Sequence, residues 1–137
     1  MLRLPKVGVL FAIVALMLFA VPAWADQFPV TGHAAFDLSS FPPTVGFTYT
    51  GTDGDGTGVS GSGQFDLDIS TGEISNGTAT FTWDTGFSLD IEFSGTVSFM
   101  DGSIMGIWDQ IGGGLSGTFM GQVDADLMGA NVEFDSP

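Results

Sequence analysis

The feature that most constrains this chain is an unbroken two-residue alternation, clearest in "FSLDIEFSGTVSF" from Phe87 to Phe99. Phe87, Leu89, Ile91, Phe93, Gly95, Val97 and Phe99 hold the odd positions, and Ser88, Asp90, Glu92, Ser94, Thr96 and Ser98 the even ones. Successive side chains of a strand point to opposite faces, so this run makes a strand with one apolar and one polar face. The period recurs along the chain. Phe28, Val30, Gly32, Ala34, Phe36 and Leu38 form one apolar row, and Val45, Phe47 and Tyr49 a second. Further rows run from Val59 to Ile69, through Ala79, Phe81 and Trp83, from Leu115 to Leu127, and through Ala130, Val132 and Phe134. The parity shifts at Asn76-Gly77, which predicts a β-bulge there.

Turn chemistry sets the expected pairings. A three-residue loop at Asp84-Thr85-Gly86 pairs Trp83 with Phe87, Phe81 with Leu89 and Ala79 with Ile91. Asp101-Gly102 reads as a two-residue turn that pairs Phe99 with Ile104 and Gly95 with Trp108, and the last run folds back across Met128-Gly129. About eight strands in sequence, joined by tight turns, predict an antiparallel meander. Nearly every strand carries Gly on its apolar face, which lets it coil at a barrel corner. The expected fold is therefore all-β, a small closed barrel, with a β-sandwich as the alternative.

Arg3 and Lys6 precede an apolar run from Val7 to Val21, and Ala23-Trp24-Ala25 follows. These are the three parts of a secretory signal peptide, and the run falls short of the roughly 20 apolar residues a membrane span needs. The expectation is a cleaved signal over residues 1–25, one all-β domain over 26–137, and a periplasmic or extracellular location. There is no Cys, so disulfides and thiol chemistry are excluded.

Beyond that segment the chain has 16 Asp and Glu, one His and neither Lys nor Arg. Nucleic acid is excluded as a partner because binding it needs cations against phosphate. Attraction to an anionic membrane surface fails for the same reason. The acids also decide which face is wet. Turned inward, Asp66, Asp68, Asp90, Glu92, Asp124 and Asp126 would crowd a narrow lumen with no positive partner, so the apolar rows are expected inside. A small outer-membrane barrel, with the faces reversed, is a further alternative.

Asp53, Asp55 and Thr57 alternate in "TDGDGTG", the spacing with which calcium loops begin. The resemblance fails at Gln64, where the twelfth-position ligand belongs, and a Gly-rich hairpin turn is the competing reading. The pairs Asp66/Asp68, Asp90/Glu92 and Asp124/Asp126 each place two carboxylates on one strand face, for solubility or for a divalent cation. His33, alone and on polar parity, is expected to be an ordinary surface residue. No nucleophile system is present, so the chain reads as non-enzymatic: an exported structural, adhesive or cation-binding module. The alternative is a carrier for a small apolar ligand held among Phe47, Phe65, Phe81, Phe93, Phe119 and Trp108. An interior cavity of several hundred Å³ separates the carrier from the module.

Overall fold

The computed structural model describes residues 27–137; the segment read as a signal peptide lies outside the described residues. The chain forms eight strands: β1 (Val30–Asp37), β2 (Thr44–Thr52), β3 (Gly58–Leu67), β4 (Glu73–Trp83), β5 (Ser88–Val97), β6 (Ser103–Gln110), β7 (Ser116–Val123) and β8 (Gly129–Asp135). Each pairs antiparallel with the next, and β8 returns to β1, closing the barrel. One closed sheet, not a sandwich, is the outcome.

Burial follows the sequence parity. In β4 and β5, Ile74, Ala79, Phe81, Trp83, Leu89 and Ile91 are buried, while Thr78, Thr80, Thr82, Ser88, Asp90 and Glu92 face out. The inward glycines let neighbouring strands crowd together. Gly32 pairs with Gly51 and Gly95 with Gly106, and a Cβ at Gly95 would strike the backbone of Met105 and Gly106. Elsewhere a ring covers the gap, Phe81 over Gly61 and Phe119 over Gly106, an exchange of side-chain volume between paired strands.

The bulge stands where the parity shift placed it. The β4–β5 register skips between Ile74 and Gly77, and Asn76 takes a left-handed φ of 53°. Its side-chain amide donates to Asp66 Oδ2 at 3.0 Å, which ties the bulge to β3.

The Asp84-Thr85-Gly86 loop produces the expected pairs Phe81 with Leu89 and Ala79 with Ile91. The Asp101-Gly102 turn does not. Val97, not Phe99, pairs with Ile104, and Phe93, not Gly95, pairs with Trp108. Ser98 N donates to Ser103 O and Gly102 N to Ser98 O, so the loop spans residues 99–102 and the register slips by two. Asp101 Oδ1 accepts the amide of Ser103 at 2.9 Å, and this side-chain cap favours the wider turn. At the last hairpin Val123 pairs with Ala130, and Asp124 N donates to Gly129 O across another four-residue loop. Both slips preserve parity, so inside and outside are unchanged.

Because the strands alternate in direction, the β1–β2, β3–β4, β5–β6 and β7–β8 loops share one end of the barrel. The other three loops and residues 27–29 share the opposite end.

Candidate functional site

The two ends differ in what fills them. At the end bearing residues 27–29, Phe28 stacks on Trp108 with centroids 5.5 Å apart and meets Trp83 edge-on at 6.1 Å. Trp83 in turn meets Phe87 at 5.0 Å. Trp108 donates its indole N–H to Asp135 O at 3.1 Å. With Val59, Phe81, Leu89 and Ile91 added, the residual space here is only about 10 Å³. Among the described residues, Trp83 Nε1 and Gln27 Oε1 are buried without a hydrogen-bond partner.

Toward the other end smaller inward side chains, Ala34, Val45, Ile74, Val97, Ile104 and Ala130, stand among the rings. The same eight strands continue there, and the smaller side chains leave space. A cavity of about 620 Å³ results, open at the four-loop end. Its walls carry aromatic rings in contact: Phe47 with Phe65 at 6.1 Å, Phe65 with Phe93 at 6.1 Å, Phe93 with Phe119 at 5.7 Å and Phe119 with Phe134 at 5.9 Å. Two of these pairs, Phe65–Phe93 and Phe93–Phe119, meet edge-to-face and the other two are tilted, contacts worth more than their area alone. Tyr49 also lines the space, but its hydroxyl donates to Val132 O at 2.7 Å. Burial, reinforced by the charge of Glu133, pushes that phenol up, so it stays neutral. The other polar side chains of the lining, Ser98, Asp101, Gln122 and Asp124, belong to the β5–β6 and β7–β8 loops and the end of β7 beside them.

The mouth is built by a repeated local device. Asp37 Oδ1 accepts Ser39 N at 3.0 Å, Asp68 Oδ1 accepts Ser70 N at 2.8 Å, and Asp126 Oδ1 accepts Met128 N at 3.0 Å, as Asp101 does from Ser103. In each, an Asp side chain closes a turn on the amide two residues ahead. In three of them the middle residue is apolar and exposed: Leu38, Ile69 at 63 % and Leu127 at 68 %. Phe99 and Met100 stand out beside them, Met100 at 98 %. The Ser39 amide holds Asp37 below the usual carboxylate range, the Ser70 hydroxyl and amide do so for Asp68, and the Ser103 amide for Asp101.

The sequence-derived candidates are distributed as follows. Phe47, Phe65, Phe93 and Phe119 line the cavity, whereas Phe81 and Trp108 pack the filled end. Leu38, Phe41, Phe99 and Leu127 also line it; parity places Leu38, Phe99 and Leu127 in apolar strand rows, whereas they sit in the loops of the rim. Asp53 is 9 % exposed and spends Oδ1 on the amides of Asp55 at 2.8 Å and Thr57 at 2.9 Å. That carboxylate organises its own loop; Asp55 is exposed and Thr57 half-buried. Among the described residues no group of three or more His, Cys, Asp or Glu is placed to hold a metal ion. The paired carboxylates diverge: Asp66 accepts from Thr44 and Asn76, Asp90 from Thr80. His33 is more than a lone surface residue. Its Nε2 meets Asp124 Oδ2 at 2.6 Å, joining β1 to the β7–β8 loop. A separation of 91 residues concealed that pair in the sequence. Neither protein-family models nor curated proteins yield a match to this chain.

Proposed function

We propose that this protein is a non-enzymatic carrier whose open half takes up a small apolar molecule. The observation that carries the reading is the cavity of about 620 Å³ with aromatic and aliphatic walls. Sites for small molecules span roughly 300–1,000 Å³ and combine apolar walls with a few polar groups. The space opens at the four-loop end, and water meets mostly apolar walls there, so an apolar occupant gains by covering them. The outward rows of β2, β3 and β4, with Thr48, Thr50, Ser60, Ser62, Thr80 and Thr82, suit water and support a carrier in solution over an outer-membrane barrel, while β6 and β7 turn Met105, Ile107 and Met120 outward. The three-part N-terminal segment supports export to the periplasm or beyond.

The test is titration of residues 26–137 with the neutral fluorophore N-phenyl-1-naphthylamine, in salt high enough to screen the acids. Saturable binding is expected, with stabilisation of about 2.7 kcal/mol at a hundredfold excess over Kd. Ala34→Leu/Ala130→Leu, which fills the cavity from adjacent strands, should abolish it. Absence of saturable binding by the wild-type domain sinks the carrier and returns the structural or cation-binding module to first place.

A further inference from the structure

The cavity has a blind end and a mouth, and the chemistry of the mouth is one-sided. Residues 26–137 contain no Lys or Arg. The single histidine, His33, is engaged by Asp124. Several amides around the opening are engaged as well. Ser98 N donates to Ser103 O, Gly102 N to Ser98 O, Val123 N to Gly102 O, Asp124 N to Gly129 O, and Ser103 N to Asp101 Oδ1. Gln122 Nε2 donates to the carbonyl of Asp101. Acceptors and negative charge are therefore what the opening offers, with Asp101 and Asp124 both in the lining.

From this we infer that the ligand is an amphiphile that enters tail-first and leaves an uncharged or cationic hydrogen-bond donor, a hydroxyl or an ammonium, at the mouth beside Asp101. Fatty carboxylates, and phosphate- or sulfate-headed amphiphiles, are selected against. The inference rests on the carrier reading. Its physical core is that an anionic head would give up hydration, find no Lys or Arg and face like charge, whereas a donor head meets a carboxylate. Tail-first entry follows from the filled end, where Phe28, Trp83 and Trp108 leave space for no more than about one water. Discrimination arises by repulsion of the wrong head as much as by attraction of the right one.

The experiment is displacement of bound N-phenyl-1-naphthylamine by 1-dodecanol, dodecylammonium and dodecanoate at neutral pH and physiological ionic strength. Butylammonium measures attraction due to charge alone. Dodecanol and dodecylammonium should each displace the probe at concentrations up to about fivefold below dodecanoate, the scale expected of one like charge at an exposed site. Butylammonium should not displace it. Asp101→Asn keeps an oxygen for the Ser103 amide, so the loop should persist, and a melt like that of the wild type checks this. In that variant the gap between dodecanol and dodecanoate should narrow from both sides, dodecanoate binding more tightly as the like charge goes and dodecanol less tightly as its hydrogen bond loses a charged acceptor. Dodecanoate binding as tightly as dodecanol, or a gap untouched by Asp101→Asn, overturns the head-group inference and leaves the carrier standing. Displacement by butylammonium overturns tail-first entry. If the probe never binds saturably, the carrier falls and this inference with it.

Discussion

The filled and hollow halves of this barrel are made from the same strands, with the same closure and the same alternation, yet they differ by about 610 Å³ of interior space, 620 at one end against 10 at the other. Strand number fixes the girth; side-chain volume at each level decides whether the girth is filled. Indoles and Phe28 fill one level, while Ala34, Val45, Val97 and Ala130 underfill the other. The loops differ in kind too. At the filled end Gly-rich turns such as Asp53–Thr57 present polar groups, and at the hollow end Asp-capped turns hold Leu38, Ile69 and Leu127 into solvent. A barrel can thus be a core at one end and a receptacle at the other.

The sharpest way to break this comparison is truncation. Trp108→Ala should cost about 3–5 kcal/mol, because Trp108 is 1 % exposed and its loss opens a void in a full layer. Phe36→Ala, at the cavity wall, should cost about 1–2 kcal/mol, since it mainly loses transfer energy and enlarges a space already there. Equal losses in urea titrations would mean the two halves are not packed differently.

Enlargement runs the other way. Ala79→Leu, where the inward side chain already crowds Gly63, should destabilise by about 1–3 kcal/mol. Ala34→Leu has room and should stay within about 0.5 kcal/mol of the wild type or gain stability.

A third contrast lies inside the polar loop of the filled end. Asp53→Ala strands the amides of Asp55 and Thr57 and should cost about 1–3 kcal/mol, whereas Asp55→Ala should change stability by less than about 0.5 kcal/mol. These melts, run with and without calcium at matched ionic strength, also judge the cation reading: equal losses from both variants that appear only with calcium would make the loop a metal site.

The smallest expected effect is on acidification. Asp37, Asp66, Asp68 and Asp101, whose carboxyls are held below their usual range by Ser, Thr and Asn donors, lie in or beside the mouth loops. A folded pKa below the unfolded value near 3.9 gives stability that is complete above that value and lost as pH falls through the lower one. Protonation also relieves repulsion among the acids, so the global melt is a poor reporter. Hydrogen exchange at the Ser39, Ser70 and Ser103 amides, corrected for its intrinsic pH dependence, should quicken as pH falls below the ordinary carboxylate value while exchange in β4 and β5 at the filled end does not. Uniform quickening would tie both ends into a single opening.

Much of this architecture was legible from the alternation. Which side chains face in, the eight-strand meander and the bulge at Asn76 follow from period and parity, because both report backbone geometry directly. Registers at the mouth were not legible. Phe99 and Leu127 continue the apolar parity of their strands, so they read as further core positions, but Asp101 and the amide of Ser103 close the β5–β6 chain into a wider loop before Phe99 can pair. Apolar character there belongs to the rim and not the ladder. The cavity was legible only as a candidate, with Trp108 and Phe81 misplaced into it, since parity says that a side chain points inward and not at which level.

The joining of β1 to β8 has a kinetic meaning. Seven of the eight pairings link neighbours in sequence and form with little loop-closure entropy; the eighth brings Val30 opposite Phe134, about the length of the domain away. The cavity walls draw on both sides of that seam, through Ala34 and Phe36 on one strand and Ala130, Val132 and Phe134 on the other. On the proposed carrier reading, a cavity completed only when this seam closes predicts that a bound amphiphile leaves the refolding rate almost unchanged and slows unfolding by nearly the full factor of its stabilisation, a latch on the seam.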